Sequence, residues 1–288
     1  LTQSWLYSQI QLIGEYMPTP NLKSFVISAL CALSVSTELV HAEEALTPIP
    51  KIANEWTFDL TPYLWAPGIS STLGYNGRYI KTADLGANNV IGNLKSGGMI
   101  AGEVRYGRWG IMADLVSATL QKTGSIPVTP QPGVQVHTAE KGTLQSTIFT
   151  GSVTYNLFNN KDTNVDALVG GRWIGITSTL NLMVDGVPRP LSDSKSMSTV
   201  DPIVGLKGRF RIADSTWYIP FYGDIGSGGG TTNVTWQGVL GVGKTIEKWA
   251  DLSLVYRGLY YDMSAGKNNA LLQKTTFQGP QLAATFHF

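Results

Sequence analysis

The last nine residues, Pro280 to Phe288, read PQLAATFHF. Pro280, Leu282, Ala284, Phe286 and Phe288 fall on one side of a period-two pattern, with Gln281, Ala283, Thr285 and His287 on the other. Alternation of this kind belongs to a β-strand with one apolar face. The run stops on an exposed-type Phe-His-Phe, where a chain end in water would fray. A strand with one face against lipid and aromatic rings at the interface accommodates such an ending. If the last strand lies in a membrane, the rest of the chain has to repeat its pattern.

It does so nine more times. In residues 56–66, Trp56, Phe58, Leu60, Pro62 and Leu64 oppose Thr57, Asp59, Thr61 and Tyr63. Pro62 counts against a central strand unless a bulge accommodates it. The Gly/Asn-rich stretch 67–98 leaves room for a hairpin arm over 70–82. Further alternating runs cover 99–106, 109–120, 143–158, 164–182, 198–212, 217–225, 233–246 and 252–261. The run 198–212 is the clearest: Val200, Pro202, Val204, Leu206, Gly208, Phe210 and Ile212 face Asp201, Gly205, Lys207, Arg209 and Arg211. Short turns follow Tyr106, Phe158, Ala213 and Ile246, whereas longer loops are expected over 121–142, 185–196 and the glycine run 226–230. Alternating short turns and long loops are the connection pattern of membrane barrels, with the short turns periplasmic. The expected fold is all-β: a closed antiparallel transmembrane β-barrel of ten strands, with eight or twelve as the open alternatives.

Two stretches resemble known families. The terminal aromatic strand resembles the C-terminal signature of Gram-negative outer-membrane β-barrel proteins, which implies recognition of the strand ending at Phe288 by the barrel-assembly machinery. Thr61-Pro62-Tyr63-Leu64-Trp65-Ala66-Pro67-Gly68 is similar to the first strand of a poorly characterised family of porin-like bacterial outer-membrane barrels, which carry Thr-Pro-Tyr-Leu-Trp-x-Pro-Gly. This second resemblance implies location and fold and leaves activity open.

Composition agrees with a membrane barrel. Charged residues make up 14% of the chain, against about 25% in a typical soluble domain. A soluble sandwich would carry many Lys and Glu on its polar face. Here Trp56, Tyr106, Trp109, Tyr155, Trp217, Tyr256, Phe286 and Phe288 stand as candidate interface aromatics, where amphipathic rings suit the headgroup level. In hydrocarbon every backbone polar group has to be paired, so the sheet has to close. A net charge of +1 gives no support to nucleic-acid binding; the expected partner is outer-membrane lipid, and oligomeric state stays open.

The N-terminal region reads as processing. Residues 1–16 precede the first Met and are expected to be an upstream extension. Residues 17–42 read as a signal peptide, with Lys23 before an apolar core over 25–36 and Val40-His41-Ala42 as the cleavage site. Residues 43–288 are then the barrel domain. Cys31, the only cysteine, falls in the removed segment, so no disulfide or Cys-based metal site is expected.

The polar faces hold the functional candidates. Asp59, Glu103, Asp114, Asp166, Asp201 and Asp224 are expected to line the lumen with Arg105, Arg172, Lys207, Arg209, Arg211 and Arg257. The two signs balance, and a ten-stranded interior is narrow. Paired charges that fill a structural barrel are one expectation. A small porin-like channel for solutes or ions, with Lys207, Arg209 and Arg211 as an anion-favouring stripe, is the other. A surface interaction or adhesion role through the outer loops is the alternative, followed by an outer-membrane hydrolase. For the hydrolase, His137 is the one histidine expected in an outer loop, and no nucleophile–base set assembles around it. No enzyme, metal or cofactor chemistry is expected.

Overall fold

The computed structural model describes residues 46–75, 78–131, 134–184, 191–228, 231–265 and 271–288. The expected extension and signal segment lie outside the described residues. In chain order the elements are β1 (Trp56–Trp65), β2 (Gly68–Tyr75), β3 (Arg78–Leu85), α1 (Ala87–Gly92), β4 (Leu94–Tyr106), β5 (Trp109–Gln131), β6 (Val134–Asn159), β7 (Thr163–Val184), β8 (Leu191–Arg211), β9 (Trp217–Gly226), β10 (Thr232–Glu247), β11 (Ala250–Ala265) and β12 (Leu271–His287).

β1 and β4 to β12 form a closed ten-stranded antiparallel barrel. Closure is made by β1 against β12, with Asp59 opposite His287 and Trp65 opposite Gln281. At the seam, Phe58 N–H donates to Phe288 O at 3.1 Å and Phe288 N–H donates to Phe58 O at 2.9 Å. Pro62 sits in this seam without a bulge, because Leu60↔Phe286 and Tyr63↔Ala283 keep one register across it. Having no N–H, it interrupts the ladder at Thr61 and Pro62, and the Thr61 and Thr285 hydroxyls bridge the gap at 2.9 Å.

The hairpin arm is present as β2–β3. β2 pairs with the outer half of β12, from Gly68↔Gln278 to Tyr75↔Leu271. β12 therefore takes β1 as partner along its inner half and β2 along its outer half. α1 buries Val90, and the next turn is held by Gln121 N–H on Asn93 O at 2.8 Å.

The outer connections differ from the expected loops. β5 and β6 stay paired through most of 121–142, from Gln121↔Thr143 to Val128↔Val136. β8 likewise begins inside the expected 185–196 loop, with Ser194 opposite Thr179. The alternation that marks a strand in lipid has no reason to persist in water, so the sequence pattern ends at the membrane while the hydrogen-bond ladder continues. At the other end the turns are tight, and Gly107 adopts a φ of +57° in the β4–β5 turn, a conformation that glycine takes without a Cβ clash.

The outer wall is a continuous apolar belt. Leu64, Ile111, Val169, Val200, Val204, Leu240, Leu254 and Leu282 are all exposed. So large an apolar surface on a closed sheet fits lipid contact. Among the described residues no helix is long and apolar enough to cross a membrane.

Candidate functional site

Inward positions on the strands converge in the barrel interior, where the charged groups meet across the lumen. Near the short-turn end, Arg105 of β4 donates through Nη2 to Glu103 Oε1 at 2.8 Å and to Asp166 Oδ2 at 2.5 Å. Lys207 of β8 reaches the same Glu103 and lies 3.9 Å from Asp166. Thr154 donates to Glu103 at 3.2 Å, and Asn156 Nδ2 to Asp166 Oδ1 at 2.7 Å.

Beside them Arg209 donates from Nη1 to Asp251 Oδ2 at 2.8 Å and to the Pro48 carbonyl at 2.9 Å. Its guanidinium stacks 4.6 Å from the centre of the Tyr218 ring. His287 spans Asp59 at 2.7 Å through Nδ1 and Asp251 at 3.2 Å through Nε2.

Higher in the barrel, Arg257 Nη2 donates to Asp114 Oδ2 at 2.7 Å and to Gln237 Oε1 at 2.9 Å. Its Nη1 donates to the Tyr63 hydroxyl at 2.8 Å, which in turn donates to Asp114. The guanidinium lies 4.8 Å from the Trp65 ring centre. Arg172 pairs with Asp224, which also accepts from the Tyr222 hydroxyl at 2.5 Å. Asp201 accepts from Thr232 at 3.1 Å and from Thr199 at 3.5 Å.

Most of the candidate charges are engaged with partners on other strands. Lys207 and Arg209 are matched by carboxylates, while Arg211 Nε donates to Ser215 O at 2.8 Å in the β8–β9 turn. The three bases share a strand face but not a common free stripe. The Arg172–Asp224, Arg105–Asp166 and Arg257–Asp114 pairs are largely withdrawn from water, which is costly unless the geometry and extra hydrogen bonds repay it; the hydroxyl and amide partners supply those bonds.

Two features of the interior were not anticipated. Tyr63, Trp65, Val116, Ile148, Ile174, Leu259, Tyr261, Met263, Phe277 and Ala283 pack as one buried apolar cluster inside the barrel, with Ile69, Met99, Ala101 and Ile176 against it. The signal in the sequence was the apolar residue breaking the polar side of several strands, such as Ile148 on β6 and Ile174 on β7. The second feature is the segment before β1. Pro48 and Ile49 are buried, Asn159 Nδ2 donates to Pro50 O at 3.0 Å, and Gly107 N–H donates to Ala53 O at 3.0 Å. This leader occupies the short-turn mouth, and no periodic pattern announces it.

The aromatic residues gather at the strand ends. Trp56 packs on Tyr106 with ring centres 5.2 Å apart, and Trp109 on Tyr155 at 4.7 Å. Phe286 stacks on Trp249 at 6.0 Å, and Lys244 lies 5.4 Å from the Trp217 ring centre. Phe288 is exposed at the same end. Tyr256 stands apart, in mid-strand between Leu240 and Pro280. At the outer end Trp236 stacks on Tyr260 at 5.9 Å.

His137 lies on β6 with its Cα opposite Pro127, in an extended strand and not in a loop. Among the described residues no group of three or more His, Cys, Asp or Glu is placed to hold a metal ion.

No protein-family model and no curated protein sequence matches the chain. Similar solved structures include the outer membrane protease OmpT from Escherichia coli, at 10% identity over 83% of this chain and 99% of that one, with a TM-score of 0.49. The attachment invasion locus protein Ail of Yersinia pestis, solved with the heparin analogue sucrose octasulfate, shares 11% identity over 81% of this chain and 98% of its own, with a TM-score of 0.33. A Pseudomonas aeruginosa FadL homologue shares 8% identity over 82% and 90% of the two chains, with a TM-score of 0.30.

Proposed function

We propose that this integral outer-membrane β-barrel protein is a structural barrel whose lumen is sealed. The observation that carries the reading is the double obstruction of the interior: paired charges and an apolar cluster fill it, and the leader around Pro48 occupies its short-turn mouth. A conducting pore needs a continuous polar path with sites that an ion can enter and leave. Charges already matched by partners on other strands offer no such sites. A small porin-like channel, the other half of the sequence expectation, would require both the leader and the cluster to move.

The reading assigns no catalytic chemistry. Both ring nitrogens of His287 face carboxylates, which leaves neither to activate a nucleophile. The terminal strand, closed onto Phe58 and ending on an exposed Phe288, is the segment that barrel-assembly machinery would engage.

Single-channel recording from the purified protein in planar bilayers tests the reading. A flat baseline is expected across applied voltages. Discrete, reproducible conductance steps would overturn the sealed barrel in favour of the porin-like channel.

A further inference from the structure

On the outer wall of β5 to β8 the change from apolar to polar occurs between two successive rows of registered residues. Leu115, Phe149, Trp173 and Val200 lie side by side across the four strands, and all are exposed. The next outward-facing row is Ser117, Thr147, Gly175 and Ser198, and the one above it is Thr119, Gln145, Thr177 and Ser196. These two rows line a surface cavity of about 400 Å³ that also touches Trp173.

We propose that this groove seats the sugar-bearing headgroup of an outer-leaflet glycolipid. The row beneath marks where acyl chains end, so a molecule anchored in that leaflet brings its headgroup to this height. The cavity is lined by six hydroxyl side chains and one amide beside the apolar Ala118, Trp173, Ile176 and Met197, with no ionisable side chain. The hydroxyls and the amide suit a polyhydroxylated ring, since they both donate and accept hydrogen bonds. Ser117 and Thr147 lie within 3.4 Å of each other, and Thr177 and Ser196 within 3.0 Å. A hydroxyl donates once and accepts twice, so each of these keeps capacity for a ligand.

Gly175 provides the flat wall. A Cβ there would meet the Trp173 ring, with Cζ2 at 2.6 Å and Cη2 at 2.7 Å. The missing side chain lets the indole fold upward along the sheet, so that its face borders the hydroxyl rows. The lining differs on another part of the wall, where Asp262 and Lys274 form an ion pair between β11 and β12. The proposal rests on the membrane placement and is independent of whether the lumen conducts, so its failure and that of the sealed barrel are read by separate experiments.

The test reconstitutes the protein in phosphatidylethanolamine vesicles with and without lipopolysaccharide, extracts it in mild detergent and measures the lipopolysaccharide retained per barrel. Retention by the native chain is expected. A Thr147→Leu/Ser198→Leu double variant is expected to lower it about tenfold, as lost hydrogen bonds of this kind would. Trp173→Ala should lower it as well and Trp173→Phe should restore it, while circular dichroism of every variant remains that of the native barrel. Equal retention by native and double-variant chains would overturn the proposal. Equal retention of an acyl-free glucosamine disaccharide would overturn the lipid as its source.

Discussion

Arg172 and Asp224 form an ion pair in which neither side chain meets solvent. The pair runs from β7 to β9 past the intervening β8, although Asp201 of β8 is the residue directly opposite Arg172 in the ladder. It therefore braces the barrel across its interior and not along its wall. Arg172→Met would leave the carboxylate buried without its cation, at an expected cost of about 3–5 kcal/mol. The Arg172→Met/Asp224→Leu double variant should recover most of that loss, since removing both charges is far less costly than removing one. Denaturant unfolding of the two variants in lipid measures the difference.

The apolar belt makes charge tolerance a function of depth. Val204 lies on the outer face near the middle of the β8 span. Val204→Arg should cost about 2–4 kcal/mol, whereas Ser198→Arg, one row beyond the belt, should cost about 0–1 kcal/mol. Equal costs in reversible unfolding from bilayers would contradict the placement of the belt edge.

Leu259 is fully buried inside the barrel. Leu259→Ala should destabilise by about 2–5 kcal/mol through lost packing and the cavity left behind. The variant should still give a flat bilayer recording, because the charge network beneath the cluster stays intact.

The leader is held chiefly by main-chain groups. Removing residues 46–53 deprives Arg209 of the Pro48 carbonyl but leaves its contact with Asp251 at 2.8 Å. The expected loss is about 2 kcal/mol for that hydrogen bond to a charged group and about 2 kcal/mol more for the buried Ile49 side chain. Unfolding midpoints measure the loss, and a recording that stays flat would place the main obstruction in the interior.

At the short-turn end, Trp109 and Tyr155 are paired at 4.7 Å. Trp109→Ala should lose about 1 kcal/mol beyond the buried area. A Trp109→Ala/Tyr155→Ala cycle measured by unfolding isolates that coupling.

The strand count and facing were legible because lipid imposes a strict rule: Trp56, Phe58, Leu60 and Leu64 have to alternate with residues that face inward. The inward half obeys a weaker rule. Arg257 and Asp114 could be assigned to the interior, but their meeting depends on strands that are far apart in sequence, and periodicity carries no information about partners. Ile148 and Ile174 looked like lapses in a polar face, yet together they help to fill the barrel. Beyond the membrane the rule disappears. Residues 121–131 and 134–142 pair as strands with nothing in their hydropathy to announce it, because water on both faces asks for no alternation. Pro62 misled in the opposite direction: a single missing donor did not need a bulge, since the register on either side held it in place.

The joint between Phe58 and Phe288 sets an order of events. Every other neighbouring pair of barrel strands can zip up from a nearby turn or loop, but this one unites the first and last strands of the barrel, and long-range pairings of that kind are slow to form. Until they meet, β1 and β12 each present a bare row of amide and carbonyl groups. The cylinder is thus the last thing made, and a newly synthesised chain must be kept from sticking to its neighbours until these two strands find each other.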